Sequence, residues 1–345
     1  MHRGLLRYVS IAMASVLVAI GWVVFWITGR TPSVAYQAMI RLFCLTRGSS
    51  NELMSKAIER NAHKHPVQPA TGVLGALTVD ELQRIARDID VNGYHVFEQR
   101  LSADTCARLV ECALRTPSRM ISVVAPGAEK LPVIQHYDRS KPLAVMYDCV
   151  VDEVLEDETV QSLISDESLI AVAHAYLHAP PVLDNINLSW STAQKVADSE
   201  VAQLYHFDMD RVKWLRYFIY VTDVSAENGP HAFVARSHRP NGIPDDLLDA
   251  GYARLSDEEV AKHYPADQFI SFTGAAGTII AEDTRGLHKG TRVQRGDRLL
   301  FHMEMTSSMF GAAYDGFRVP KRVSPALRSA MQRFPRVFSV FSARD

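Results

Sequence analysis

Residues 214–235 read WLRYFIYVTDVSAENGPHAFVA: an apolar run, a polar turn and a second, shorter apolar run. The Asn-Gly-Pro sequence at 228–230 favours a chain reversal between the two runs. Short apolar runs of the same kind recur throughout the second half of the chain, at residues 186–190, 202–207, 268–272, 278–281 and 298–305. Many short strands separated by turns are typical of a β-sandwich or jelly roll.

Helical patterns precede these strands. Thr78 and Glu81 form a capping-box pattern that predicts the start of a helix, and Gly93 is expected to end it. Ser102 is expected to cap a second helix, and a third is predicted over residues 168–177. The fold class predicted is therefore α+β, a jelly roll with packed N-terminal helices and one transmembrane helix in front of it.

Composition limits the choice of function. The chain has 345 residues, of which 47% are hydrophobic and 22% charged, so it can bury the core of one large domain or at most two small ones. Its formal net charge of -2 provides no basic field, which argues against a nucleic-acid partner. The four cysteines form no C-x-x-C pair and are expected to pack in the core.

The N-terminus predicts a membrane anchor. Residues 8–28 carry no charge, and Arg7 and Arg30 bracket them. A helix of this length, rising about 1.5 Å per residue, matches the hydrocarbon thickness of a bilayer. A cleaved signal peptide is the alternative, but the apolar run is long for one and no small-residue cleavage site follows it.

The chain is predicted to divide into a membrane anchor at residues 1–30, a juxtamembrane connector at 31–77 and a catalytic domain at 78–345. Within the connector, residues 33–46 suit a helix that lies on the membrane surface or packs on the domain. Residues 49–77 are expected to be a linker, and the proline-containing stretch 117–160 is expected to be irregular.

The chemistry is concentrated in a short motif. His206 and Asp208 flank Phe207 in an expected strand, where residues two apart point to the same face. Two histidines and one carboxylate on one side of a metal form the facial triad of non-haem Fe(II) oxygenases, which leaves coordination positions open. A second histidine, His288, follows the predicted strand at residues 278–281 and supplies the third ligand of this predicted metal site.

Arg298 lies ten residues after His288, at the start of an apolar strand. A guanidinium group binds a carboxylate through two parallel hydrogen bonds. A dicarboxylate co-substrate that chelates the iron needs such an anchor at its far end, so Arg298 is the predicted co-substrate residue.

These motifs together resemble the phytanoyl-CoA dioxygenase family of Fe(II)/2-oxoglutarate oxygenases. The similarity covers residues 77–305. It rests on NGYHVF at 92–97 followed by Leu-Ser at 101–102, on H-x-D at 206–208, on ENGPHAFVARSH at 227–238, on LHKG at 287–290 and on Arg298. Two departures are visible: Ala235-Arg236 replaces a Pro-Gly pair, and Gly290 stands where some members carry a serine that holds the co-substrate.

The resemblance implies a cupin-like double-stranded β-helix that holds Fe(II) through His206, Asp208 and His288. It further implies that 2-oxoglutarate and dioxygen are consumed, that succinate and CO2 form, and that a C–H bond of a second substrate is hydroxylated. Related halogenases carry a small residue in place of the carboxylate ligand, so the presence of Asp208 disfavours halogenation.

Two histidines and three aromatic residues near the motifs are not predicted metal ligands. His231 and His238 are expected to serve turns and packing. Trp190, Phe218 and Tyr220 either flank the co-substrate or belong to the core.

The function predicted is an Fe(II)- and 2-oxoglutarate-dependent hydroxylase acting on a lipid or membrane-associated small molecule. It is predicted to be held by a single-pass helix, with the catalytic domain facing the cytosol, where Fe(II) and 2-oxoglutarate are available. The alternatives are a non-catalytic metal- or lipid-binding jelly-roll module and an enzyme that uses Mn or Co, since ligand type alone does not select the metal.

Overall fold

A computed structural model describes residues 2–62, 65–125, 130–193, 203–249 and 251–343. The helices are α1 His2–Thr28, α2 Ser33–Thr46, α3 Ser49–Ala62, α4 Val79–Asn92, α5 Ala103–Arg115, α6 Val151–Val154, α7 Glu158–Ile164, α8 Glu167–Leu177, α9 Asp245–Asp249, α10 Asp257–Ala261 and α11 Pro325–Arg333. The strands are β1 Ala70–Gly72, β2 Gly75–Leu77, β3 Tyr94–Arg100, β4 Ser118–Val123, β5 Ile134–Gln135, β6 Ala144–Cys149, β7 Val182–Thr192, β8 Trp214–Tyr220, β9 His231–Val234, β10 Phe269–Phe272, β11 Thr278–Glu282, β12 His288–Gly290, β13 Asp297–Thr306, β14 Phe317–Arg318 and β15 Phe341–Ser342.

Two antiparallel sheets form the centre of the molecule. The large sheet has eight strands in the order β3-β11-β8-β13-β7-β6-β4-β5, and the small sheet has three in the order β10-β9-β12. Every strand pair in both sheets is antiparallel. Together with the helices, this arrangement agrees with the predicted α+β jelly roll.

The large sheet has a different environment on each face, as the period of two along each strand requires. On β13, Leu299, Phe301 and Met303 belong to the main core, which also contains apolar residues of α4, α5, α7 and α8. Leu300 points the other way, into a smaller apolar cluster that lies between the two sheets. The members of this inner cluster are Phe218, Tyr220, Val224, Phe233, Phe272, Ile280 and Leu300.

The predicted local signals of the first helices are confirmed. Thr78 caps α4 through the amide of Glu81, whose carboxylate returns to the amide of Thr78 at 2.8 Å. Gly93 ends the helix in the left-handed region, with φ +93°. Ser102 caps α5 through the amide of Thr105 at 3.0 Å.

Three expectations are wrong. The stretch 117–160 is not irregular throughout, because β4 and β6 add to the edge of the large sheet. The expected linker at 49–77 contains α3 and the β1–β2 hairpin, and α3 is held by the side-chain amide of Asn51, which donates to the carbonyl of Val212 at 3.0 Å. The strand expected at 202–207 is reduced to isolated bridge pairs at Tyr205 and His206, and Ala202 lies outside the described residues.

The N-terminal segment packs on the domain. Residues Leu6–Thr28 of α1 are long and apolar enough to cross a membrane, but by length and composition only. α2 packs along α1 and buries Ala35, Met39 and Phe43. Of the two expectations for residues 33–46, the structure therefore shows the helix packed on the domain, whereas a membrane crossing by α1 stays a prediction.

Gly93 is required by both conformation and space. A Cβ atom at this position would lie 2.5 Å from the Phe233 ring and 2.7 Å from Nδ1 of His238. Gly75 has a similar φ of +82°, but nothing lies within 4 Å of the place its Cβ would occupy.

We expect Gly93→Ala to lower the free energy of unfolding by about 2–5 kcal/mol, because left-handed strain adds to overpacking against Phe233. Gly75→Ala is the matched control and should lose only the strain, about 1–2 kcal/mol. Urea unfolding of both variants measures the difference. Equal losses would show that the contact with Phe233 imposes no constraint.

Candidate active site

Three polar side chains meet beside the inner cluster. His206, Asp208 and His288 are each at least nine-tenths buried, and one ligand atom from each lies within 4.8 Å of the others. Nε2 of His206 is 3.7 Å from Oδ1 of Asp208, and Nε2 of His288 is 3.5 Å from Oδ2. Donor atoms that each bind one ion at about 2.1 Å lie about 3–4 Å apart. The group therefore fits a metal ion.

Backbone pairing brings the two histidines together. The amide of His206 donates to the carbonyl of His288 at 3.0 Å, and the reverse bond is 2.8 Å long. The amide of Asp208 donates to the carbonyl of Thr284 at 2.8 Å, which aligns the carboxylate with the same segment. Residues 206–208 thus run antiparallel to the segment before and through β12, although they form no regular strand.

Each histidine is oriented by its own backbone. Nδ1 of His206 lies 2.9 Å from the carbonyl of Leu204, and Nδ1 of His288 lies 2.9 Å from the carbonyl of Gly286. A carbonyl only accepts, so Nδ1 carries the hydrogen in each ring and Nε2 keeps its lone pair. Both lone pairs therefore face the centre of the group, as metal ligation requires.

Charge in the site is balanced by burial and by neighbours. Burial lowers the pKa of His206 to about 3 and that of His288 to about 4, which keeps both rings neutral near pH 7. Burial raises the pKa of the Asp208 carboxyl, but Arg216 and the two histidines lower it, and the net shift is downward. Two neutral imidazoles and one carboxylate are the protonation states in which these groups bind a metal.

Arg216 contacts the predicted ligand Asp208 and was not among the predicted site residues. Its Nη1 donates to Oδ2 of Asp208 at 2.8 Å, and its Nη2 donates to Glu304 on the next strand at 2.5 Å. The signal was present in the alternation of β8, where Arg216 shares a face with Phe218 and Tyr220. A charged residue on the inward face of a buried strand indicates a partner on the neighbouring strand.

Arg298 is buried without an acidic partner. It is 7% exposed, and its Nη1 donates to the carbonyl of Gly229 while Nη2 donates to Oγ of Ser191 at 3.2 Å. Its Nε has no hydrogen-bond partner, and no carboxylate of the described chain lies within ion-pair distance. Burial lowers the pKa of the guanidinium. An unpaired buried cation is costly unless an anion joins it.

The other predicted residues divide between the two faces. Phe218 and Tyr220 belong to the inner cluster, next to Arg298 and His231. Trp190 lies in the main core on the opposite face of the sheet, against Tyr137. Of the three aromatic candidates, Trp190 is therefore a core residue.

His231 and His238, for which turn and packing roles are predicted, are both buried. Nε2 of His231 is 2.9 Å from Oε1 of Glu282, and burial raises the pKa of Glu282 well above its usual value. The His231 ring lies against Phe218, with centroids 4.2 Å apart and the ring planes tilted by 32°. Nε2 of His238 lies 3.2 Å from the carbonyl of Asp90, at the end of α4.

Ser237 fixes the turn that leads into His288. Its hydroxyl donates to the carbonyl of Val234 at 2.6 Å and accepts from the amide of Leu287 at 2.7 Å. Leu287 is the residue immediately before His288, so the serine sets the position of this predicted ligand.

No family model matches the chain, and no curated protein matches it. Among solved structures, the non-haem α-ketoglutarate-dependent epimerase SnoN from nogalamycin biosynthesis is 20% identical, with 66% of this chain and 83% of SnoN covered and a TM-score of 0.46. EctD from S. alaskensis with bound Fe is 19% identical, with 65% and 75% covered and a TM-score of 0.45. HygX from Streptomyces hygroscopicus with nickel and 2-oxoglutarate bound is 16% identical, with 71% and 93% covered and a TM-score of 0.47.

These similar structures include Fe- and 2-oxoglutarate-dependent proteins, but the likeness is at most 20% identity with TM-scores below 0.5. The chemistry of this chain has to follow from its own residues. The narrower resemblance to the phytanoyl-CoA dioxygenase family stays a prediction.

We expect Ser237→Ala to cost about 1–3 kcal/mol, because the buried amide of Leu287 loses its acceptor. The variant should also bind Fe(II) several-fold more weakly, because the turn before His288 is no longer fixed. Urea unfolding and anaerobic calorimetry measure the two effects. Ser339→Ala, which removes an exposed hydroxyl bonded to the carbonyl of Arg336, is the control and should change neither. Unchanged Fe(II) affinity in Ser237→Ala would contradict the role given to the serine.

Proposed function

We propose that this chain is an Fe(II)- and 2-oxoglutarate-dependent dioxygenase that hydroxylates a C–H bond of a lipid or membrane-associated substrate. The observation that carries the proposal is the pairing of two features inside one jelly roll. One is the buried donor group of His206, Asp208 and His288. The other is the buried guanidinium of Arg298, which has no acidic partner among the described residues.

The roles of the residues follow from their charges. His206, His288 and Asp208 would hold Fe(II), which when bound supplies the positions and the redox chemistry for 2-oxoglutarate and dioxygen. Arg298 binds the far carboxylate of 2-oxoglutarate through its fork of N–H donors. Arg216 holds the Asp208 carboxylate in place and keeps it ionised.

The inner cluster shapes the site between the metal group and Arg298. Phe218, Tyr220 and Leu300 line this part of the large sheet and exclude water from it. Low local polarity strengthens the attraction between a carboxylate and a guanidinium. Among the described residues, no carboxylate forms an ion pair with Arg298.

The inner face beyond β13 is polar, which bears on the second substrate. Asn187 lies opposite His302, and Ser189 lies opposite Asp148 across the next strand pair. Oδ1 of Asn187 and Oδ1 of Asp148 are buried and have no hydrogen-bond partner. Buried acceptors of this kind favour a substrate with hydroxyl or amine donors. A membrane-associated substrate would therefore present a polar portion to the site.

We place the domain in the cytosol, because that compartment supplies Fe(II) and 2-oxoglutarate. The non-catalytic alternative is a jelly roll that binds metal or lipid without turnover. It is disfavoured because a module without co-substrate has no use for the buried charge of Arg298.

We expect the purified chain, with Fe(II) and 2-oxoglutarate added without oxygen, to develop the visible metal-to-ligand charge-transfer band of the chelated co-substrate. His206→Ala should abolish the band because a ligand is lost. Arg298→Ala should weaken 2-oxoglutarate binding by about 10- to 100-fold, since charge-assisted hydrogen bonds are lost.

Two variants serve as controls. His95→Ala removes a histidine that pairs with Asp88 away from the site, and Arg295→Ala removes an exposed arginine near Arg298 in sequence. Both should keep the parental band. Absence of a band from a folded parent that binds metal would favour the non-catalytic module.

The substrate half of the proposal has its own test. Succinate formation by the full chain should rise when membrane lipid extract is supplied in nanodiscs, and it should rise less with a panel of soluble metabolites. A soluble metabolite that stimulates the full chain more than the lipid extract does would contradict the membrane-associated substrate without contradicting the oxygenase chemistry.

A further inference from the structure

One side of α1 is packed against the protein from Ile11 to Phe25. Ala14 and Val18 are buried, and the Trp22 ring lies 4.8 Å from the ring of Phe310. A Cβ added to Gly21 would lie 2.1 Å from that of Ala35, which shows how closely α1 and α2 approach. The buried residues are three or four positions apart, so they lie on one face of the helix.

Both ends of α1 and its following turn are tied to the same domain. Near the start, Arg7 donates to the carbonyl of Leu45 at 2.8 Å and lies 3.5 Å from the carboxylate of Asp245. After the end of the helix, Oγ1 of Thr31 accepts from the amide of Gly311 at 3.0 Å. The rest of the protein therefore contacts this segment near its start, at Arg7, and just after its end, at Thr31.

These contacts conflict with a crossing. The 23 residues Leu6–Thr28, at about 1.5 Å each, give a helix about as long as a bilayer's hydrocarbon core is thick. If α1 crossed while docked, the domain that contacts both ends would have to lie in hydrocarbon, and Asp245 with it. A charged, partly exposed carboxylate is very costly in that environment.

The other side of α1 is exposed and apolar. We call it the exposed stripe, and it consists of Leu6, Val9, Met13, Val16, Ile20, Val23 and Ile27. Their spacing of three and four residues places them on one face of the helix. Trp26 lies beside the stripe and is 84% exposed. Trp22 lies on the docked side and is partly buried. An exposed apolar face of this length on a protein surface indicates an interaction site.

Positive charge accompanies the stripe. Arg30 and Arg41 are exposed at the end of α1 and on the adjoining α2, and Arg7 is exposed near its start. No acidic residue occurs in α1 or α2. An apolar helical face flanked by arginines matches the acyl chains and anionic headgroups of a membrane surface.

We propose that α1 lies in the plane of an anionic membrane surface, with the exposed stripe in the headgroup and acyl boundary, and does not cross the bilayer. The all-round apolar character of α1 then has two causes, since one face packs on the domain and the other meets lipid. No predicted metal ligand takes part in this attachment, so the proposal stands independently of the iron chemistry.

The attachment would place the membrane close to the catalytic centre. Phe43 of α2 stacks on Phe207, with ring centroids 5.5 Å apart. Phe207 is the residue between His206 and Asp208. The helix pair that meets the membrane is thus one aromatic contact away from the predicted metal ligands.

The decisive experiment is sided labelling of the full chain on sealed vesicles of phosphatidylcholine and phosphatidylglycerol. Single cysteines would be introduced by His2→Cys, Arg30→Cys and Ser339→Cys in a Cys44→Ser background, whose three other cysteines are buried. The in-plane arrangement predicts that an impermeant maleimide added outside labels all three positions equally. Protection of either His2→Cys or Arg30→Cys until detergent is added would show a crossing and overturn the proposal.

Vesicle flotation tests the contact surface itself. The double variant Val16→Ser/Ile20→Ser should reduce the vesicle-bound fraction at least fivefold, and Tyr314→Phe, which alters a domain contact beside Gly29, should bind as the parent does. Brominated lipid should quench part of the tryptophan fluorescence of the parent. The fluorescence of Trp26→Phe should not be quenched. Binding should weaken on vesicles of phosphatidylcholine alone.

The competing occupant of the stripe is a second copy of the chain. A stable dimer in sedimentation, dissociated by Val16→Ser/Ile20→Ser and unable to float with vesicles, would overturn the membrane assignment. The urea midpoint of the double variant should equal that of the parent, which shows that its fold is intact whether or not the chain binds iron.

Discussion

The two reciprocal hydrogen bonds between the backbones of His206 and His288 are the constraint on which the site depends. They join a segment before β8 to the start of β12, which are some eighty residues apart in the chain. Because each ring is also held by a carbonyl two residues before it, the backbone pairing sets the direction of both Nε2 lone pairs. Asp208 enters the group through the next bond of the same pairing, to Thr284.

Of the two buried arginines near this pairing, Arg216 has carboxylate partners and Arg298 has none among the described residues. Arg216 sits between Asp208 and Glu304, so the acidic groups near the metal position are already neutralised in part. Arg298 has only uncharged partners, the carbonyl of Gly229 and the hydroxyl of Ser191. Buried charge is tolerated when it is paired or when a ligand pairs it, which is why we propose that Arg298 binds an anion.

The same core connects the site to the N-terminal helices. Phe207 turns away from the predicted metal position because its neighbours turn towards it, and it fills the cluster that contains Phe43, Met39 and Val18. α1 and α2 are therefore part of the domain's packing rather than an appendage. The two helices therefore connect the exposed stripe, which we propose meets lipid, with the segment that carries the predicted ligands.

Local signals in the sequence determined much of this protein. The capping box at Thr78, the left-handed Gly93 and the alternation in β8 and β13 depend on neighbours within a few residues, so they are readable without a structure. The same holds for the choice of His206, Asp208, His288 and Arg298 as candidates, because residue type and spacing limit the chemistry.

Tertiary structure alone decided the rest. The strands β4 and β6 and the helix α3 form because a sheet edge and a domain surface are there to receive them, although their local sequences contain prolines or polar residues. The pairing of Arg216 with Glu304 and the missing acidic partner of Arg298 depend on strands far apart in the chain. The two faces of α1 look alike in sequence, since both are apolar, and only the packed domain determines which face remains exposed.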